Sequence, residues 1–153
     1  HDALPIFDPI TNGHLDIIKR ACKMFDKIVI AVANNKSKKS MFNLETRVKM
    51  VKKATKNMPN IEVKEFNCLL VDFAKKEDSK IIIRGLRAVS DFEYELQMSY
   101  ANHSLDSEID TIYLMPTLNN AFISSSIVRN ILSYNGNINH LIPKEIKKYV
   151  YNN

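Results

Sequence analysis

Strand-length runs of β-branched residues alternate with segments of helical periodicity along this chain, and no other feature constrains its fold as tightly. Residues 27–33 (KIVIAVA), 80–84 (KIIIR) and 111–115 (TIYLM) are apolar at consecutive positions rather than alternate ones. A strand tolerates that pattern when both of its faces are covered, as helices cover a parallel sheet. The expected class is therefore α/β: a single-domain, Rossmann-like, doubly wound parallel sheet of five strands. Residues 3–7 and 61–65 supply the remaining two strands. Helices are expected from Gly13 or His14 to Phe25, from an Asn43 cap through Ala54, and over 69–76. A Ser90–Glu93 capping box opens the next, with Phe92, Leu96 and Tyr100 on its inner face. Another runs over 124–134, closed by Asn135 and Gly136, and Pro143 starts the last.

At roughly 150 residues per domain, 153 residues make one domain spanning 1–153. No apolar run approaches the ~18 to 20 residues that cross a bilayer, and the first residues do not read as a secretory leader. The expectation is a cytoplasmic protein with no membrane partner. Scarce residues exclude as much as common ones. With only Gly13, Gly85 and Gly136, neither GxGxxG nor GxxxxGK[ST] can be written. Cys22 and Cys68 form no CxxC, and His1, His14, His103 and His140 form no HExxH, so neither a structural zinc nor a disulfide framework is expected. Both cysteines, with Met24, Met50, Met98 and Met115, read as core filler. The net charge of +5 suits an anionic partner, either a phosphorylated metabolite or nucleic acid.

Ligands of such sheets bind beyond the carboxyl ends of the strands, and four polar segments fall there. They are 8–14 (DPITNGH), 34–39 (NNKSKK), 84–87 (RGLR) and 122–129 (FISSSIVR). His14 stands where a turn becomes a helix, among backbone N–H groups that favour phosphate, and its imidazole can donate to phosphoryl charge. A packing role is the plainer use of a lone histidine. Ser124, Ser125 and Ser126 are helix-capping residues first; with Arg129 one turn on, they also fit a polyphosphate. Arg84 and Arg87 flank Gly85 at a strand end, where buried positive charge calls for an anion. Lys36, Lys38 and Lys39 read as a solvated loop with one lysine in reach of a ligand, and Glu95 as an exposed helix residue.

TNGH resembles the (H/T)xGH signature of the nucleotidylyltransferase superfamily, and ISSSIVR resembles its second signature, ISSTxxR. Within that superfamily, FDPITNGH, SKK followed by MF, RGLRAVSDFEYE and FISSS resemble, in order, the phosphopantetheine adenylyltransferases. The resemblance implies transfer of AMP from ATP to 4′-phosphopantetheine, giving dephospho-coenzyme A and pyrophosphate, by direct in-line attack of an already anionic phosphate. Carried over position by position, it makes His14 the transition-state stabiliser, with Lys38 and Arg87 beside it. It places Ile6, Lys38, Leu70 and Arg84 on phosphopantetheine. ATP is met by Ile6, Phe7, His14, Gly85, Leu86, Arg87 and Glu95, and by Asn120, Ala121, Phe122, Ile123, Ser124, Ser125 and Ser126. The resemblance also implies Mg2+ carried mainly by the ATP phosphates, with no metal site on the protein, and a homohexamer built as a dimer of trimers.

One departure stands out. The family reads YPGTFDP or YPGSFDP where this chain reads ALPIFDP, so Pro5 and Ile6 replace a glycine and a Thr or Ser. The lost N–H and hydroxyl imply weaker substrate binding. Competing readings are a nucleotidylyltransferase acting on another acceptor, such as nicotinamide mononucleotide, a catalytically weak relative, and a basic nucleic-acid-binding module. RGLRAVSDFEYE argues against the first. The absence of RNP-like, KH or zinc patterns argues against the last, so no nucleic-acid partner is expected.

Overall fold

A computed structural model describes residues 7–34 and 39–151. The elements are α1 (Asn12–Met24), β1 (Ile28–Ala33), α2 (Leu44–Ala54), β2 (Ile61–Phe66), α3 (Leu70–Lys76), β3 (Ile81–Gly85), α4 (Val89–Leu105) and β4 (Asp110–Leu114), followed by a 3₁₀ turn (Leu118–Asn120), α5 (Ser125–Ser133), a second 3₁₀ turn (Lys144–Ile146) and α6 (Lys147–Tyr151). β1 lies parallel to β2, with Ile28 opposite Ile61 and Ala33 opposite Phe66. β3 lies parallel to β4, with Ile81 opposite Asp110 and Gly85 opposite Leu114. Parallel neighbours need a crossover, and α2 and α4 supply the two. The α/β class stands, but the strands among the described residues form two parallel pairs rather than a five-stranded sheet. Residues 3–6 of the expected first strand lie outside the described residues. Phe7, its last position, has φ 46°, a turn conformation rather than a strand one.

The larger core joins Ile30 and Val32 of β1, Met50 and Val51 of α2, and Val128 of α5 to Ile138, Leu141, Ile146 and Val150. Each such side chain contributes about 1.5 to 3 kcal/mol by leaving water, so the segment after α5 helps cement the domain. A smaller cluster joins Val71 and Ala74 of α3 to Ile82 and Ile109. Asn43 caps α2 as expected, accepting the Thr46 N–H at 2.8 Å. Asn135, with φ 59°, closes α5 in a Schellman arrangement: the Gly136 N–H reaches the Ile131 carbonyl at 2.9 Å. A Cβ on Gly136 would stand 2.4 Å from Ile131 Cγ2, so the position admits no larger residue without movement.

Other expectations are corrected. α4 does not open at Ser90: its N-cap is Ala88, whose extended backbone carries no side-chain cap bond, so the helix starts two residues earlier than the Ser90–Glu93 capping box implies. Phe92 and Tyr100 are exposed, and the residue turned inward is Glu95. Met50 is core, whereas Met24 and Met115 are more than half exposed, and both free cysteines are only partly buried. Among the described residues no helix is long and apolar enough to cross a membrane.

Candidate functional site

The TNGH segment forms the start of α1. Thr11 is the N-cap: its Oγ1 accepts the His14 N–H at 3.3 Å, while its own N–H donates to His14 Nδ1 at 3.1 Å. His14 thus does what a glutamate does in the ordinary capping box. The Phe7 ring tilts against the imidazole with centroids 4.8 Å apart. Gly13 is buried, and a Cβ there would stand 2.8 Å from the Ile123 carbonyl oxygen and 3.4 Å from that of Asn120. Only glycine lets the two signature segments approach so closely.

The second signature reaches back to the first. Ser124 caps α5, accepting the Ile127 N–H at 3.2 Å, and Ser125 Oγ donates to the Pro9 carbonyl at 2.8 Å. Arg129 donates to the Asp8 carbonyl at 2.9 Å and to Ser126 Oγ at 3.2 Å, and lies 3.8 Å from the Asp8 carboxylate. That carboxylate, almost fully buried, accepts the Met41 and Phe42 N–H groups at 2.8 and 2.9 Å. Buried Arg47 donates to the Ala33 carbonyl at the end of β1 and to the Phe42 carbonyl. The amino ends of α1 and α5 therefore meet beside the carboxyl end of β1, and helix amino ends favour phosphate.

A third segment enters from β3. Arg84 makes a buried bidentate pair with Glu95, Nε to Oε2 at 3.0 Å and NH2 to Oε1 at 2.6 Å. This corrects the expectation of an exposed Glu95: the guanidinium supplies the opposite charge that lets the carboxylate leave water. Arg87 stays partly exposed, 3.6 Å from Asp91, and its charge acts on His14. Burial first, and Arg87 second, lower the His14 pKa to about 3, so the imidazole is neutral at neutral pH. Asp16 accepts the Thr117 N–H at 2.6 Å and ties the loop before Asn120 to α1. Ile123 is buried in that loop's far end while Phe122 is exposed.

The cytidylyltransferase-like family model matches residues 6–131, which include both signatures. A phosphopantetheine adenylyltransferase of Nautilia profundicola is 75% identical over 142 residues, covering 93% of this chain and 92% of the relative. Those of Campylobacter hominis and Helicobacter hepaticus are 61% and 57% identical, over 94% and 95% of this chain and 91% and 88% of their own. The chain belongs to the phosphopantetheine adenylyltransferase family.

For this family member, the structure brings together Phe7, His14, Asn120, Ile123 and the three serines. Gly85 and Leu86 lie at the end of β3, where Gly85 faces Ile17 of α1. Leu70 packs on the smaller core cluster. Ile6 and Lys38 lie outside the described residues. Among the described residues no group of three or more His, Cys, Asp or Glu is placed to hold a metal ion. Three residues of this phosphopantetheine adenylyltransferase-family site had no role assigned from sequence: Asp8, Thr11 and Arg47. Thr11 could have been found from its capping distance to His14, and Arg47 from its place on the apolar face with Leu44, Val48 and Val51. Asp8 carries no local signal, since the amides it accepts are 33 and 34 residues away.

Proposed function

We propose that this chain transfers AMP from ATP to 4′-phosphopantetheine, releasing pyrophosphate and forming dephospho-coenzyme A, a step of coenzyme A synthesis. The observation that carries the reading is the lock between the two signatures, Gly13 against the Ile123 carbonyl, with neutral His14 beside it. The acceptor phosphate is already anionic near neutral pH, so it attacks the α-phosphorus without a protein base. What remains is positioning and charge stabilisation. His14 donates a hydrogen bond to the charge that develops on the transferred phosphoryl group. Arg87 and the amino ends of α1 and α5 attract the triphosphate. The resemblance assigns Arg84, Leu70, Lys38 and Ile6 to phosphopantetheine, and Glu95 and the 120–126 loop to ATP, with Lys38 and Ile6 outside the described residues and Glu95 paired to Arg84.

Magnesium enters this reading on the ATP phosphates, whose charge it neutralises. The nearby carboxylates fit that division, since Asp8 is engaged by Met41, Phe42 and Arg129, and Asp16 by Thr117. In the same reading the two strand pairs belong to one five-stranded, doubly wound sheet. The protein is a cytoplasmic homohexamer, and exposed Met24, Met115 and Leu118 offer apolar surface for assembly. Pro5 and Ile6 weaken substrate binding.

The test is pyrophosphate release with ATP, magnesium and either 4′-phosphopantetheine or nicotinamide mononucleotide. Turnover with the first alone supports the reading; turnover with only the second overturns it. The pH profile gives a separate check. With a folded pKa of about 3, His14 changes charge only far below the working range. The acid limb of kcat/KM therefore follows the acceptor phosphate, whose second pKa is about 6, and keeps its position in a His14→Gln variant. Stability behaves differently. The unfolded chain binds the His14 proton below about 6.5 and the native chain only below about 3, so stability rises with pH across that window. His14→Gln flattens this rise in urea melts at pH 4 and pH 7.

A further inference from the structure

We propose that Thr11 is a positioning residue for His14, fixing the imidazole as the tautomer that carries its proton on Nε2. The inference rests on the adenylyl-transfer reading only for what that proton does.

The geometry is a closed ring of contacts. Thr11 is fully buried, with an extended backbone at φ −119° and ψ 171° that turns its N–H toward the third helical residue. That N–H donates to His14 Nδ1 at 3.1 Å. Thr11 Oγ1 accepts the His14 N–H at 3.3 Å and lies 3.2 Å from Nδ1, where its hydroxyl proton can also be donated. Nδ1 therefore faces two donors and serves as an acceptor. A neutral imidazole has one proton, and with Nδ1 accepting, that proton sits on Nε2. The ordinary capping box spends a glutamate side chain on the N-cap amide; here the same contact spends one nitrogen of the imidazole and leaves the other as a fixed donor. The Phe7 ring holds the imidazole plane, and Arg87 is the cation whose field reaches it.

A threonine serves here for a reason an aspartate would not. Aspartate is as good an N-cap, so Thr11→Asp keeps an acceptor for the His14 N–H. Its carboxylate has no proton to give, however, and stands where it would attract one onto Nδ1. The neutral ring would then shift its proton from Nε2 to Nδ1, or the ring would become cationic. Helix capping and tautomer control separate in this one substitution.

The experiment uses the full chain with 15N-labelled histidine, the His14 signals being assigned by their loss in His14→Gln. At pH 7 the wild type is expected to show Nδ1 as the unprotonated nitrogen and Nε2 as the protonated one. Thr11→Asp is expected to lose that pattern and to lower kcat at least ~10-fold, with a smaller change in KM for ATP. Thr11→Ser keeps the hydroxyl and restores both the spectrum and most of the rate. A wild-type spectrum with the proton on Nδ1, or with both nitrogens protonated, overturns the proposal, and this measurement needs no variant to fold. So does a folded Thr11→Asp with unchanged kcat. A wild type that shows the Nε2–H tautomer but transfers no AMP supports the tautomer assignment and counts against the function reading instead.

Discussion

His14→Ala is expected to lower kcat by about 10²- to 10³-fold while leaving KM for ATP within a few-fold of wild type. The asymmetry follows from what the imidazole touches. In the free protein its Nδ1 is occupied by the Thr11 amide and its ring by Phe7, so the group offered to substrate is one neutral donor. A neutral donor gains most where negative charge grows, at the phosphoryl oxygens of the transition state, and contributes less to the ground-state triphosphate. In the proposed reading, binding of that triphosphate rests instead on Arg87 and on the amino ends of α1 and α5, which the substitution leaves in place. The variant also loses the acceptor for the Thr11 N–H, a capping loss of about 1 kcal/mol, so a melting curve must accompany the kinetics. Steady-state pyrophosphate release at saturating phosphopantetheine measures the effect. An unchanged turnover number in a folded variant would remove His14 from the chemistry.

The same residues show why some of this was legible in the sequence and some was not. Local rules found what local physics determines. Apolar residues at helical spacing marked α1 and α2, Asn43 marked the start of α2, and β-branched runs marked β1, β3 and β4 to within a residue or so. The signature segments were legible because each is contiguous. Long-range polar partnerships were not. Asp8 looks like any turn aspartate until the chain folds back and presents Met41, Phe42 and Arg129 to it. Helix α4 is the sharpest case. Its apolar residues suggested an inner face through Phe92 and Tyr100, yet the buried position is Glu95, because β3 delivers Arg84 to the same place. Periodicity assigns a carboxylate to solvent; only a partner from another element overrides it.

That override leads to the largest expected effect on stability. Glu95→Ala is expected to destabilise the folded protein by about 3 to 5 kcal/mol, since it takes the carboxylate from a buried guanidinium whose desolvation cost remains. For a domain of this size that corresponds to a melting temperature lower by roughly 6 to 20 °C. Two contacts argue that the loss is confined to the ion pair. Tyr113, opposite Arg84 in the β3–β4 register, donates its hydroxyl to the Glu95 backbone carbonyl at 2.6 Å, a bond the substitution keeps. α4 also retains its own backbone bonds around position 95. Glu95→Gln keeps the shape and part of the hydrogen bonding, so it should fall between wild type and alanine. The double variant Arg84→Met with Glu95→Leu should recover most of the lost stability, because apolar residues of similar size often replace a buried pair at little cost. Urea denaturation of the four proteins at one protein concentration makes the comparison. A double variant no more stable than Glu95→Ala would mean that the site depends on Arg84 through something other than this pair. Pyrophosphate assays on the same samples then separate roles: a stable double variant with a raised KM for phosphopantetheine would show that the Arg84 guanidinium, besides pairing with Glu95, meets the acceptor in the wild type.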